Sequence, residues 1–243
     1  MEDLQPVPDL SEEIGSRFQG APWAEAVHNL DVLIIGAGGI GSWAALNISR
    51  LNPRHMTIVD PDVVDASNLS GQLYRTGDIG SRKARVTAGI CNDFSNCYNV
   101  NFFNRPLEPH DVLNRQDGYD IIISAVDNMA TRQQIFNLWK EDLSNHHPLL
   151  IDARMAAEVF QVFCLSPNTT KELLTKYNNE WLFSDSEADA TVCSFKQTSF
   201  VASILGGFIT NLVVNYTYNT VNPIVERPVP FYSQYKADLL MLE

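Results

Sequence analysis

The stretch that most constrains this chain is residues 31–60, DVLIIGAGGIGSWAALNISRLNPRHMTIVD. An apolar strand, Val32–Ile35, runs into four glycines, Gly36, Gly38, Gly39 and Gly41. A helix follows from about Gly39 to Leu51, and a second strand, HMTIVD, ends at Asp60. Strand, turn, helix and strand in so short a span form a βαβ unit, which builds parallel sheet. Glycine at the turn permits tight backbone geometry, and glycine at the helix start lets phosphate oxygens approach its free N–H groups. Asp60 lies 19 residues after Gly41, where a carboxylate accepts hydrogen bonds from ribose hydroxyls. Taken alone, the unit fits NAD, FAD or ATP.

The alternation continues. RKARVTAGICNDFS has helical spacing through Ala84, Val86, Ile90 and Phe94, and YNVNFFN alternates as a strand. LEPHDVLNRQ suggests a short helix, DIIISAVD a fully buried strand and NMATRQQIFNLWKED a helix. PLLIDARM and VFQVFCLSP read as two more strands. The expected fold is α/β, a Rossmann-like, mostly parallel twisted sheet with helices on both faces, plus a C-terminal extension of strands and a helix. Residues 1–30 read as an acidic arm and a short helix around Trp23–His28. Residues 31–165 read as the nucleotide-binding core, and 166–243 as a crossover segment and the C-terminal part of the same domain. Residues 167–192 are polar and acidic and break the alternation, as a crossover, a lid or a surface excursion. A helix near 196–218 and a proline-rich extended tail complete the chain.

Two features separate the nucleotides. Between Arg75 and Arg85 stand Arg75, Arg82, Lys83 and Arg85 against one acid, Asp78. A triphosphate with a leaving pyrophosphate benefits from such a cluster; an NAD pyrophosphate is met by the helix N-terminus. For Arg82 and Arg85 individually, a solvated helix face is the simpler explanation. In SAVDNMATR a buried strand delivers Asp127 and Asn128 to its C-terminal end, where open parallel sheets bind ligands. Asp127 is suited to hold Mg²⁺ on phosphates, or to cap the following helix; the two roles are compatible.

Charge and cysteine content narrow the class. The net charge is -12, from 17 Lys+Arg against 29 Asp+Glu, which argues against a nucleic-acid-binding surface over the whole protein. Cys91, Cys97, Cys164 and Cys193 form no CxxC pair, so neither zinc nor a disulfide framework is expected. The acidic first residues lack an apolar signal region, and FVASILGGFITNLVVNYTY, interrupted by Asn211 and Asn215, reads as a buried core helix rather than a membrane span. The expectation is a cytoplasmic protein, not bound to membranes.

Four motifs together resemble the ThiF/MoeB-type adenylyltransferases, the fold shared with enzymes that activate ubiquitin-like proteins: GAGGIGS (36–42), VDPDVVDASNLSGQ (59–72), DIGSRKA (78–84) and SAVDNMATR (124–132). The resemblance covers residues 30–165 well and the remainder loosely, and it looks most like compact bacterial and phage versions. It implies that Gly38 and Gly41 lie against ATP phosphates, Asp60 holds the ribose and Asp62 sits close to the nucleotide. Asn68 and Gln72 occupy an asparagine–leucine–x–arginine–glutamine motif. Lys83 would contact the phosphates, and Asp127 would bind Mg²⁺. Arg17 resembles an arginine extended into the partner subunit's ATP site, so a homodimer is implied. Where the motif has arginine, this chain has Gly71, one phosphate contact fewer unless Arg75 replaces it. Cys193 lies near where some relatives carry a reactive cysteine, although Asp185, Glu187 and Asp189 would raise a thiol pKa; a structural cysteine is the favoured alternative. The implied activity is ATP-dependent adenylation of a C-terminal carboxylate, on the Gly-Gly tail of a ubiquitin-like or sulfur-carrier protein. The rivals are a non-catalytic subunit of a heterodimer and an NAD(P)-linked oxidoreductase. The oxidoreductase leaves the basic segment and Asp127–Asn128 unexplained.

Overall fold

The computed structural model describes residues 18, 20–95, 99–113, 118–142, 148–184, 198–222, 224 and 226–236. Arg17 and Cys193 lie outside them. A short helix, α1 (Ala24–His28), leads into the βαβ unit: β1 (Asp31–Ile35), α2 (Gly39–Ser49) and β2 (His55–Val59). Then come α3 (Lys83–Ser95), β3 (Val100–Phe103), α4 (Pro109–Leu113), β4 (Ile121–Ser124), α5 (Met129–Asp142) and β5 (Leu149–Ala156). The chain continues through β6 (Val159–Leu165), α6 (Lys171–Lys176), α7 (Ser199–Val221) and β7 (Tyr232–Lys236).

One seven-stranded sheet runs in the order β3-β2-β1-β4-β5-β6-β7. Its first five strands are parallel, and β6 and β7 are antiparallel additions. The chain therefore winds to one side of β1 for β2 and β3, then returns to the other side for β4. Reversals of this kind open a crevice at the carboxyl ends of the strands, here β1 and β4.

Period-two alternation on fully buried strands feeds two cores. Val32 and Ile34 of β1 join Ile40, Ala44 and Ile48 of α2, Ala84 and Ala88 of α3, and Val201, Leu205 and Ile209 of α7. Leu33 and Ile35 face the other way, toward Val112 of α4, Ile135, Phe136 and Trp139 of α5, and Tyr177. Helices thus cover both faces, as expected. α7 is long and apolar enough to cross a membrane by length and composition. One of its faces nevertheless packs into the core, and a Cβ on Gly206 would lie 2.8 Å from the Cβ of Trp43.

Two elements form where the sequence pattern places them but bury less of their apolar surface than that pattern offers. On α3 the buried face is Ala84, Thr87, Ala88, Ile90 and Cys91, whereas Phe94 is 58% exposed, with the Arg50 guanidinium 5.8 Å from its ring. Of the four residues that carry the spacing, Ala84 and Ile90 are buried, Val86 is half-buried and Phe94 lies in the last turn of the helix. β3 does not alternate in burial either: only Val100 is buried, since β3 is the terminal strand of the sheet.

Candidate functional site

The glycine turn is built by close packing at the switch point. Gly36 has φ +94, and a Cβ there would lie 2.6 Å from the Ala125 carbonyl oxygen at the end of β4. A Cβ on Gly41 would lie 1.8 Å from the Gly36 carbonyl oxygen. These two glycines bring turn, helix and β4 together. Gly38 differs: a Cβ there would meet nothing closer than Gln72 Nε2 at 3.9 Å. Gly38 is also the N-cap of α2, with no side-chain cap. The first N–H groups of the helix therefore lack a side-chain partner beside open space, the usual condition for anion binding. Gly39 is the first residue of that helix.

Asp60 ties this turn to the loop after β2. Its Oδ2 accepts from the Ala37 N–H at 2.6 Å and its Oδ1 from the Asp62 N–H at 2.7 Å. Burial pushes its pKa up, against the two amide hydrogen bonds and the Lys83 charge. A carboxylate has about four acceptor sites, so the two used here leave capacity for a ribose hydroxyl.

The loop then folds back on itself. Val63 bridges Arg82, Val64 N–H donates to Ser81 O at 2.8 Å and Lys83 N–H to Asp62 O at 3.0 Å. The closure sets Lys83 at the start of α3, with its Nζ 3.0 Å from Asp62 Oδ2. The ammonium stem is nearly buried at 9% exposure, while the carboxylate is 61% exposed. Tyr74, a residue not singled out in the sequence, braces the arrangement. Its hydroxyl donates to Ala37 O at 2.5 Å and lies 3.2 Å from Thr87 Oγ1, which donates to Lys83 O at 2.9 Å. Burial raises the Tyr74 hydroxyl well above the usual phenol range. Nothing in GQLYRT beyond an aromatic residue in a polar loop hinted at this role.

Asn68 and Arg75 serve the loop itself. Asn68 Oδ1 accepts from Asp65 N–H at 2.9 Å. Arg75 pairs with Asp78 at 3.2 Å and is 67% exposed, so in this conformation it does not take the place left by Gly71. Gln72 faces Gly38, and its Oε1 is buried without a hydrogen-bond partner among the described residues. An orphaned acceptor beside an open glycine and an uncapped helix suits a polar ligand such as a nucleotide.

At the end of β4, Asn128 caps α5, its Oδ1 accepting from Thr131 N–H at 2.8 Å. The cap is therefore Asn128, not Asp127, and the exposed Asp127 carboxylate is left to other partners, with Asn128 Nδ2 3.4 Å from it. One such carboxylate, with phosphate oxygens, is a reasonable donor set for Mg²⁺. Arg132 holds this loop from behind: Nη2 donates to Val126 O, and Nη1 to Asp152 Oδ1 and, at 3.1 Å, to Ala153 O. Burial raises the Asp152 pKa, but Arg132 and Arg154, with hydrogen bonds from Arg154 and Tyr177, hold it below the usual carboxylate range. Arg132 was legible only as the last letter of SAVDNMATR. Cys164 is buried on β6, which pushes its thiol up to about 12.

A mostly parallel sheet with a glycine turn, an uncapped helix and an acidic strand end at its switch point is the architecture common among nucleotide-binding α/β proteins. The chain belongs to the ThiF family, whose profile matches residues 10–238. A probable molybdopterin-synthase adenylyltransferase of Porphyra purpurea is 35% identical over 109 residues, 44% of this chain and 28% of the relative. A probable adenylyltransferase/sulfurtransferase MoeZ of Mycobacterium tuberculosis is 30% identical over 138 residues, 53% of this chain and 35% of the relative. The match thus spans about a third or less of these relatives' length. Among solved structures, E. coli MccB with MccA-N7isoASN aligns over 89% of this chain and 64% of its own, with TM-score 0.66 and 16% identity. The E. coli tRNA N6-threonylcarbamoyladenosine dehydratase TcdA aligns over 89% of this chain and 98% of its own, with TM-score 0.67 and 18% identity. At such identity the likeness is one of fold.

Proposed function

We propose that this chain adenylates a carboxylate with ATP. A carboxylate oxygen attacks the α-phosphorus, the bond to the β-phosphate breaks, and an acyl-adenylate and pyrophosphate result. The observation that carries this reading is the set of groups that follow the carboxyl ends of the neighbouring strands β1, β2 and β4: an open glycine turn, an unpartnered Gln72 acceptor, a buried Lys83 ammonium and the exposed Asp127 carboxylate. The names of the sequence relatives support it. In this reading, Gly38 and the first amides of α2 hold phosphate oxygens, with Gly36, Gly39 and Gly41 shaping their approach. Asp60 orients the ribose, Asp62 holds Lys83 in place, and Asn128 keeps the Asp127 loop in register. Lys83 stabilises charge as pyrophosphate leaves. Mg²⁺ on Asp127 would supply further charge neutralisation on the phosphates. The remaining task is alignment of carboxylate and phosphorus.

The acceptor we infer is a protein or peptide ending in a free carboxylate, foremost the Gly-Gly tail of a ubiquitin-like or sulfur-carrier protein. A homodimer in a cytoplasmic setting completes the proposal, with Arg17 reaching the partner's site. One observation favours a second reading. Gly71 stands where the motif that this loop resembles has arginine, and Arg75 is engaged by Asp78, as a non-catalytic subunit would tolerate.

The test is pyrophosphate release from Mg-ATP by the full chain, with and without small proteins ending in Gly-Gly, in wild type and Lys83→Ala. Release only with an acceptor, a mass gain on the acceptor equal to AMP, and loss of both in the variant are expected. ATP binding without pyrophosphate release in the presence of any carboxylate acceptor would favour the non-catalytic subunit. Equal release by Lys83→Ala would overturn the assigned role.

A further inference from the structure

We propose that Asp152 is a positioning residue that locks the Asp127 loop and the Tyr177–Trp181 turn into one body. The inference rests on the adenylation reading for its functional consequence, but its geometry stands on its own. Asp152 is fully buried on β5, in register with Ser124 of β4, three residues before Asp127. Its Oδ1 accepts from Arg132, and its Oδ2 accepts from Arg154 Nε at 2.8 Å, Arg154 Nη2 at 2.7 Å and the Tyr177 hydroxyl at 2.9 Å. These fill the roughly four acceptor sites of a carboxylate. Asp152 therefore has no capacity left for a ligand; what it does is hold.

The elements it holds border different parts of the site. Arg132, on α5, also grips the Val126 carbonyl, the residue before Asp127. Arg154, past the end of β4 on the long β5–β6 hairpin, donates from Nη1 to the Trp181 carbonyl at 2.8 Å. That carbonyl ends a wide, π-type turn, Tyr177–Trp181, which begins with the tyrosine bonded to Asp152. Arg154 also lies 4.8 Å from the Phe163 ring centre, which limits its sideways movement. One carboxylate thus links the loop carrying the candidate Mg²⁺ ligand to residues 177–182. Apolar side chains of similar volume often stabilise a core as well as a buried ionic group does. The specific contribution here is register between two segments that share no backbone pairing.

The experiment is amide hydrogen exchange of the full-length protein, wild type and Asp152→Asn, with ATP titrated calorimetrically at several Mg²⁺ concentrations. Asparagine keeps the shape but loses the charge and at least one acceptor. Exchange at 125–128 and at 178–183 should accelerate together by about tenfold, as for loss of one charge-assisted hydrogen bond, while 37–42 stay unchanged. The Mg²⁺ needed for half-maximal enhancement of ATP binding should rise severalfold, with metal-free ATP affinity unaltered; a merely structural role would move both or neither. If Asp152→Asn fails to fold, Tyr177→Phe, which removes one hydrogen bond, should show the same paired acceleration at smaller amplitude. Acceleration in only one segment, or throughout the chain, overturns the proposal. If the wild type binds no Mg-ATP, the adenylation reading fails, and the exchange result alone decides the coupling.

Discussion

The glycine turn offers the sharpest division between folding and ligand binding, because two of its glycines differ in what a methyl group would meet. In Gly41→Ala the new Cβ would stand 1.8 Å from the Gly36 carbonyl oxygen and 2.8 Å from its carbon, where ordinary contact begins at 3.4 Å. The turn or the first turn of α2 must shift by well over an ångström, and both are buried backbone. Overpacking costs about 1–3 kcal/mol, and an obstruction by backbone belongs at the top of that range, about 3 kcal/mol. For a chain of this size that lowers the melting temperature by about 6–12 °C. In Gly38→Ala the nearest atom is the end of the flexible Gln72 side chain at 3.9 Å. The structural cost is then that of alanine at an N-cap, about 1 kcal/mol, or about 2–4 °C. The methyl would, however, stand in the opening that the phosphates are proposed to use. Circular dichroism melting and ATP calorimetry on both variants separate the effects. Gly38→Ala should melt close to wild type and bind ATP at least about tenfold more weakly, a loss of about 1.4 kcal/mol. A Gly38→Ala protein with wild-type ATP affinity, or a Gly41→Ala protein with wild-type stability, would refute the reasoning.

Three further outcomes follow from the geometry. Lys83→Ala should lower the pyrophosphate-release rate by about 10²–10³-fold. Its stability should change by less than about 1 kcal/mol, because its partner carboxylate is largely in water; urea unfolding checks this. Tyr74→Phe removes the hydroxyl that joins Ala37 O to Thr87, costing about 1–1.5 kcal/mol by the same assay. The lowered pKa of Asp152 contributes stability that is complete above the unfolded aspartate value, about 3.9, and is lost as pH falls toward the folded value. Asp152→Asn should therefore flatten the fall of unfolding free energy below about pH 4 by up to one proton; an unchanged slope would count against the assignment.

The order of elements was legible because each carries its own period or punctuation: the continuous apolar run of β1, the glycines of the turn, the buried IIIS of β4. The positions of Gly38, Asp60 and Asp127 were legible for the same reason, since they follow recognisable strand ends, whereas Lys83 stands out only by the run of cations from Arg75 to Arg85. What escaped was set by contacts between distant residues. Nothing near Asp152 or Arg132 shows that side chains 20 positions apart share a buried bond. The choice of Asn128 over Asp127 as helix cap turns on backbone direction, which two adjacent good capping residues leave open. The helical spacing through Ala84, Val86, Ile90 and Phe94 located α3 but left open which of the four are buried; Ala84 and Ile90 are, and Phe94, in the last turn, is not.

The folded-back loop after β2 has a consequence for how such proteins vary. Its ends are pinned together where residues 62–64 meet 81–83, and the Lys83 ammonium is fixed at that base. Within the intervening stretch Leu73 N–H donates to Ser42 Oγ and the Tyr74 hydroxyl to Ala37 O, and Gln72 faces Gly38, so only the turn around Gly77 stands clear of the site. Residues inserted or removed near Gly77, where a side chain would meet nothing within 4 Å, would leave the ammonium in place. Length here can drift while the chemistry below it stays constant.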